Sequence, residues 1–252
     1  MKNRVIGFVG LDVQDTVLYL SRIFHHMGKS VLMADYSGSQ ALYYCIPMIP
    51  GTDAYTTLVE YRGTYFTSGP IREKDYENFD VIMIFFGFEE RREVRNCTHM
   101  IYTTDGEKNH VERLKEIKGG YADYSQIVFR NAGRTQHYME DVKRPFYGAV
   151  REACAYSCND SGKEKRLRIQ CQYNEVFSFR GISARFKKYL FETVRAVFPE
   201  ESGGKEFEEC FKRAQPVESP WEDPGRVGAR KERKMVVALT DGISGQLGTT
   251  LH

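Results

Sequence analysis

Four aspartates of this chain follow hydrophobic segments in a way that could bring their carboxylates together. Asp12 and Asp15 come soon after the apolar run "RVIGFVG". Asp35 stands near the end of "KSVLMADYS", and Asp105 ends "THMIYTTD". Parallel strands present their carboxyl ends at one edge of a sheet, where α/β proteins place their chemistry, and carboxylates are good ligands for Mg²⁺. One hypothesis is therefore an enzyme or metal-binding protein with an acidic site there, with Asp12 and Asp35 as candidate metal ligands.

The cysteines and histidines give less support for other chemistry. The six cysteines contain no CxxC pair, and no histidine is placed with a serine or cysteine in a pattern that suggests nucleophilic catalysis. Because disulfides are rare in the cytosol, we expect reduced and mostly buried thiols. The cysteines are Cys45, Cys97, Cys154, Cys158, Cys171 and Cys210.

Composition limits the class of protein. The 252 residues are 41% hydrophobic and 28% charged, which suits one sizeable α/β domain. A net charge of +2 gives no case for a specific nucleic-acid partner. No apolar run reaches the roughly 18 residues of a membrane span, and the first run is short and broken by Gly7. We therefore expect a cytoplasmic protein.

Strand and helix patterns alternate through the first half. Apolar runs predict five strands, in "RVIGFVG", "KSVLMADYS", "FDVIMIFFG", "THMIYTTD" and "SQIVFRN", and "KRLRIQCQY" predicts a sixth. Helical spacing predicts helices after the first strand and in "HVERLKEIKGG", "GISARFKKYLFETVRAVF" and "KEFEECFKRA". Between the second and third strands we expect a short helix near Ser39–Tyr44 and an extra edge element around Tyr61–Phe66.

This alternation predicts an α/β fold with a mostly parallel central sheet and helices on both faces. Residues 1–214 form the predicted domain. Residues 215–252 are rich in proline, glycine and charge, which predicts a flexible, disordered basic tail.

The order of these segments resembles the MinD/ParA group of P-loop ATPases (the SIMIBI class), a three-layer α/β family. "GKSVLMAD" at the second strand is the most specific match, and "FDVIMIFFG", "THMIYTTD" and "QIVFRNAG" follow in the family's order. The resemblance covers residues 3–133 well and the remainder loosely. It implies a phosphate-binding loop at residues 10–16, between the first strand and its helix.

The residues that would bind nucleotide in this family are replaced. Of the family's loop only Thr16 matches, and its two lysines fall on Gly10 and Asp15. The third-strand aspartate that would organise Mg²⁺ falls on Phe85, whereas Asp35 matches the family's second-strand aspartate. The chain thus looks like a degenerate member, similar to the pseudo-ATPases that localise tight-adherence (Flp-type) pili in bacteria.

Electrostatics argues against a triphosphate in this loop. Two like unit charges about 4 Å apart cost roughly 4 kcal/mol at an effective dielectric constant near 20. The loop carries Asp12 and Asp15, two aspartates that would face a triphosphate, and it lacks both lysines. We predict no cofactor, no binding of ATP with Mg²⁺ and no ATP hydrolysis. An ATPase with an atypical phosphate loop is the second alternative, beside the acidic-site hypothesis.

If the fold is retained without catalysis, we expect it to serve as a regulatory or localisation module that binds another protein. Tyrosines are favoured at interfaces, and the candidates are Tyr43, Tyr44, Tyr61 and Tyr65. The resemblance implies an ATPase or a pilus or secretion component as partner, and a homodimer. The basic stretch "RVGARKERKMVVAL" is the segment that would contact the inner face of a membrane.

Overall fold

A single mixed sheet organises the structure, a computed structural model. It describes residues 3–11, 13–48, 51–117, 122, 124–132, 155–174, 178–201, 205–214 and 237–238. The strand order is β8-β7-β6-β1-β5-β2-β4-β3-β9. The strands are β1 (Arg4–Gly10), β2 (Val31–Asp35), β3 (Leu58–Tyr61), β4 (Thr64–Thr67), β5 (Val81–Gly87), β6 (His99–Thr104), β7 (Tyr124–Arg130), β8 (Ala155–Cys158) and β9 (Val237–Ala238).

The seven strands from β8 to β4 in that order run parallel, and β3 pairs antiparallel with β4 and with β9. β5 lies between β1 and β2, so that Phe8 and Asp35 both pair with Phe85. The central strands are long apolar runs because both of their faces are covered. All seven residues of β5 are buried.

Helices cover both faces, which confirms the predicted fold class. One hydrophobic cluster packs α1, α4 and α5 against the sheet, and a second packs α3 and the α2 region on the other face. The helices are α1 (Gln14–His26), α2 (Glu73–Asn78), α3 (Lys108–Glu116), α4 (Gly162–Asn174), α5 (Ala184–Val197) and α6 (Lys205–Ala214).

The predicted sixth strand at residues 165–173 is wrong, because this segment lies within α4. A capping box begins the helix: Glu164 N–H donates to Ser161 Oγ at 3.2 Å, and Ser161 N–H donates to Glu164 Oε2 at 2.7 Å. These two bonds satisfy backbone donors that the first helical turn leaves unpaired. The edge strand at this end of the sheet is instead the short β8.

Between β2 and β5 the prediction is partly confirmed. The extra edge element is a hairpin, β3 and β4, and β4 joins the parallel sheet beside β2. The predicted helix near Ser39–Tyr44 is a three-residue 3-10 turn at Tyr43–Cys45. In the predicted tail, Val237 and Ala238 pair with β3; its remaining residues lie outside the described part. No helix among the described residues is both long and apolar enough to cross a membrane.

Candidate functional site

The chain leaves β1 through a glycine that a side chain could not replace. Gly10 has φ +109°, and a Cβ there would lie 2.0 Å from the carbonyl oxygen of Thr103 on β6. Leu11 N–H donates to the same oxygen at 3.1 Å. Gly10 therefore serves the contact between β1 and β6, and this contact sets the direction in which the chain enters α1.

Asp15, in the first turn of α1, is bound face to face by an arginine from β7. Arg130 Nη1 donates to Asp15 Oδ1 at 2.7 Å and Arg130 Nη2 donates to Oδ2 at 2.5 Å. The two side chains are only 3% and 6% exposed. Bidentate guanidinium–carboxylate pairs are among the strongest ion pairs in proteins. The carboxylate also suits the positive end of the helix dipole.

A second aspartate completes the coordination of Arg130. Arg130 Nε donates to Asp160 Oδ1 at 3.0 Å, and Arg168 of α4 lies 3.0 Å from Asp160 Oδ2. Asn131 holds this aspartate by accepting from Asp160 N–H at 2.7 Å. Two carboxylates and two guanidinium groups thus form one network without net charge, buried except at Arg168, whose side chain is 21% exposed. We call Asp15, Arg130, Asp160 and Arg168 the buried quartet.

The quartet keeps Asp15 ionised. Burial raises the pKa of this carboxyl, but the charge and hydrogen bonds of Arg130 lower it by more, so its pKa lies below the ordinary value. Burial lowers the pKa of Arg130, and Asp15 and Asp160 outweigh that effect and raise it. Asp15 is therefore a neutralised carboxylate within the protein, and does not face the solvent as the sequence suggested.

The other positions of the predicted phosphate site are packed. Thr16 is 2% exposed, and Phe85 is fully buried in the hydrophobic cluster that includes α1. Asp12 lies outside the described residues. Loop positions 10, 15 and 16 and the third-strand position are therefore all buried.

Asp35 supports the local backbone. Its Oδ1 accepts from Ser37 N–H at 3.0 Å and Ser37 Oγ at 2.6 Å, and its Oδ2 accepts from the N–H groups of Leu42 and Tyr43 at 2.9 and 3.0 Å. Burial raises the pKa of Asp35, and these four donors oppose that effect. The four bonds account for a fully buried carboxylate without a metal ion.

The four candidate tyrosines lie in different environments. Tyr44 is 62% exposed, whereas Tyr61 is buried at 7%. Tyr43 is half-buried and packs against the rings of Tyr44 and Phe66. Tyr65, also half-buried, packs against Phe79 on the other face of the sheet. Tyr44 is thus the member of this set best placed to contact another molecule.

Asp105 takes part in a different cluster from the one expected. One ligand atom each from Asp105, Glu107 and His110 lie within 4.8 Å of one another at the end of β6. His110 Nδ1 is 2.8 Å from Asp105 Oδ1, and its ring stacks on Phe88. Imidazole and carboxylate together are donors that suit a divalent transition metal. The chain therefore offers a three-ligand group here.

The residue that sequence reasoning missed is Arg130. It is the last residue of β7 and lies one residue before the end of the predicted strand "SQIVFRN", and its side chain reaches Asp15 of α1. An arginine that closes an otherwise apolar strand, on the same face as a loop aspartate, is the signal that could have suggested the pair. Asp160 and Arg168 fell in the region whose elements were predicted incorrectly.

No protein-family model and no curated protein matches this chain. Solved structures of similar overall shape include pNOB8 ParA bound to nonspecific DNA, with 10% identity, a TM-score of 0.46, and coverage of 84% of this chain and 100% of that chain. McdA from Cyanthece, in the apo form, has 10% identity, a TM-score of 0.47, and coverage of 84% and 98%.

Cobyrinic acid a,c-diamide synthase from Mycobacterium smegmatis, with bound ADP and magnesium, is also similar, with 13% identity and a TM-score of 0.41, over 69% of this chain and 92% of that chain. The fold class stated above rests on the strand order and the two covered faces of this sheet.

Proposed function

We propose that this chain is a MinD/ParA-like protein that does not hydrolyse ATP and acts as a protein-binding regulatory or localisation module. The observation that supports this proposal most directly is the ion pair between Asp15 and Arg130. Asp15 stands where the sequence resemblance places the lysine that would contact phosphate. In this chain that position carries a carboxylate, and the carboxylate is already bound.

The helix end offers the physical reason. The N-terminus of a helix attracts anions through its dipole and its free N–H groups. At α1 the anion is part of the chain itself, because Asp15 Oδ1 accepts from Thr16 N–H at 2.8 Å. A phosphate entering here would have to displace a carboxylate from its bidentate arginine. Phe85, in place of the Mg²⁺-organising aspartate, supports the same conclusion independently.

The nucleotide part is tested by calorimetry of the full chain with ATP and Mg²⁺, together with a phosphate-release assay. We expect no heat of binding at millimolar nucleotide and no turnover above background. Micromolar binding that Asp15→Asn abolishes, and that the exposed control Glu112→Gln leaves intact, would contradict the proposal and favour an ATPase with an atypical loop.

The protein-binding part rests on the segment after β2. Tyr44 and Tyr55 are 62% and 61% exposed, although aromatic side chains of this size usually bury most of their surface. We propose an ATPase or a pilus or secretion component as the partner, which matches the resemblance drawn from the sequence. Self-association through this or another face is measured by sedimentation velocity of the full chain across a range of concentrations.

A photo-crosslinking amino acid at position 44, introduced into the chain in its own cells, tests the surface. The matched control carries the same group at position 173, an 81% exposed tyrosine on α4. We expect one protein to be enriched at position 44 and absent at position 173. Equal, diffuse crosslinking at both positions would refute a partner at Tyr44. Genes for pilus or secretion components beside this gene would support that choice of partner.

Metal binding is the second candidate, and the group of Asp105, Glu107 and His110 is the observation that favours it. Thermal unfolding with and without Mg²⁺, Mn²⁺ or Zn²⁺ tests it. A metal-dependent rise in midpoint that His110→Ala removes would support a site at the end of β6. The unchanged midpoint of the full chain in all three metals would exclude it.

A further inference from the structure

An open pocket of about 360 Å³ lies at the carboxyl-terminal edge of the sheet. The buried quartet lies at the same edge but at other strands. The pocket lies where β2, β4 and β5 end, and these strands are parallel neighbours. Crevices outside the carboxyl ends of parallel strands are the usual ligand sites of open α/β sheets. The volume is at the lower end of the range for small-molecule sites. The lining includes Tyr36, Gln40, Tyr55, Ser68, Arg91 and Glu93.

Close contacts define the walls of this pocket. A Cβ on Gly69 would lie 1.8 Å from the carbonyl oxygen of Tyr55, so the two loops approach at a point where only glycine fits. The hydroxyl of Tyr36 accepts from Ile71 N–H at 2.7 Å, which fixes its ring. Gln40 donates from Nε2 to the carbonyl oxygen of Ser37 at 2.7 Å. The pocket is therefore held in shape before any ligand enters.

Three charged side chains line the pocket: Asp35, whose carboxylate is satisfied by four donors of its own segment, and Arg91 and Glu93, which do not pair with each other. Glu93 contacts the neighbouring Arg92 at 3.5 Å, and the Arg92 side chain is 93% exposed. Arg91 is in no ion pair within the part of the chain that the structure describes. The pKa of Tyr36 is raised to about 12, mainly by burial and in part by Glu93, whereas the hydrogen bond from Ile71 N–H and the charge of Arg91 lower it. Both charges thus act on the ring at the pocket wall.

We propose that this pocket binds a zwitterionic small molecule of the α-amino acid class. The carboxylate of the ligand would pair with Arg91 and its ammonium group with Glu93. Charge-assisted hydrogen bonds favour both contacts. The rings of Tyr36 and Tyr55 offer apolar contact for the ligand's side chain and faces that attract a cation. A ligand carrying both charges satisfies both side chains, which a simple anion or cation would not do.

The proposal is independent of what happens at α1, because Arg91 and Glu93 belong to the segment after β5, in which Arg92–Asn96 form a 3-10 turn. The pocket lies on the opposite side of β5 from the quartet. Binding would tie the ends of β2, β4 and β5 together. The segment carrying Tyr44 begins at the end of β2, next to this pocket.

The test is titration of the purified full chain with each of the twenty amino acids by thermal shift, followed by calorimetry of those that raise the midpoint. We expect at least one amino acid to bind. Its N-acetyl and carboxamide derivatives, each lacking one charge, should bind about tenfold more weakly or worse. Arg91→Ala and Glu93→Gln should each weaken binding by a similar factor.

Arg95→Ala is the matched control, since it removes a nearby exposed arginine that does not line the pocket and should leave affinity unchanged. Circular dichroism and the unfolding midpoint without ligand verify that each variant is folded. Absence of binding by all twenty amino acids at 10 mM, on the order of the weakest useful affinity, would overturn the proposal. So would equal binding of the singly charged derivatives, or binding that survives both Arg91→Ala and Glu93→Gln.

Discussion

Two sets of charged side chains lie along one edge of the same sheet, and only in one of them do the charges pair with one another inside the protein. At the ends of β1, β7 and β8, Arg130 is 3% exposed and its donors go to Asp15 and Asp160. At the ends of β2, β4 and β5, Arg91 is exposed and Glu93 faces the same pocket without contacting it. In the first set the charges pair with one another, whereas in the second Arg91 is exposed and the Glu93 carboxylate pairs only with the exposed Arg92 among the described residues.

The difference between the two sets indicates where on this sheet a ligand could bind. A buried ion pair is costly to form and more costly to break, because removing one partner leaves a charge without solvent. In the quartet region the charges are therefore already paired within the protein. Charged side chains at an open pocket remain hydrated until a ligand displaces the water. The open pocket begins at β5, the strand next to β1, and extends to β2 and β4.

Among the tests of this comparison, removal of Arg130 should have the largest effect on stability. We expect Arg130→Met to lower the free energy of unfolding by about 3–5 kcal/mol, because Asp15 would remain buried and charged. Urea unfolding followed by circular dichroism measures it. The double variant Asp15→Leu/Arg130→Met should be more stable than Arg130→Met alone. A loss below about 1 kcal/mol in the single variant would mean that the pair is effectively solvated.

Removal of the Asp35 carboxylate should have the second-largest effect, because this carboxylate accepts four hydrogen bonds at the border of the open pocket. Asp35→Ala should cost about 2–3 kcal/mol, since it leaves the N–H groups of Leu42 and Tyr43 without their acceptor. Asp35→Asn keeps one acceptor oxygen and should lose less. Equal stability of wild type and Asp35→Ala in urea would show that this segment rearranges freely.

Acidification should destabilise the quartet region only below the ordinary pKa of an aspartate, because Asp15 stays ionised to lower pH. The pKa of Asp15 lies below its ordinary value of 3.8 in the folded state, so its stabilising contribution is complete above that value and is lost as the pH falls below it. Urea midpoints between pH 7 and pH 2.5, on the order of the range where carboxyl groups titrate, measure this loss. Asp15→Asn should flatten the decline, whereas the exposed Asp53→Asn should leave it unchanged. An identical decline in Asp15→Asn would contradict the assignment.

The smallest effect belongs to the open region. Arg91→Ala should change the free energy of unfolding by less than about 0.5 kcal/mol, as exposed substitutions usually do. The same urea experiment measures it beside Arg130→Met. A loss above about 1 kcal/mol would mean that Arg91 has a structural partner, and the two regions would no longer differ in the way described.

Much of the fold could be predicted from the sequence because its central strands are long apolar runs. β1, β5 and β7 need no partner information to be recognised, and α5 shows its buried side at helical spacing. α4 was mistaken for a strand because basic and apolar residues alternate in "KRLRIQCQY". Ser161 and Glu164, three residues apart, carried the helix signal that periodicity concealed.

The candidate site was harder to predict, because its partners are distant in sequence. The sequence showed that lysines are replaced at residues 10 and 15, but not that Asp15 has a counter-ion 115 residues away. The orientation of Arg130 depends on the placing of β7 two strands from β1. The pocket beside β2 depends on loop ends that no local pattern positions.

The distance along the chain between Asp15 and Arg130 also has a kinetic consequence. The pair can form only after β1, β6 and β7 lie side by side, so it closes a loop late in folding. Contacts that are absent from the folding transition state slow unfolding without speeding folding. The quartet should thus prolong the lifetime of the native state by slowing unfolding. It should contribute little to the rate of folding.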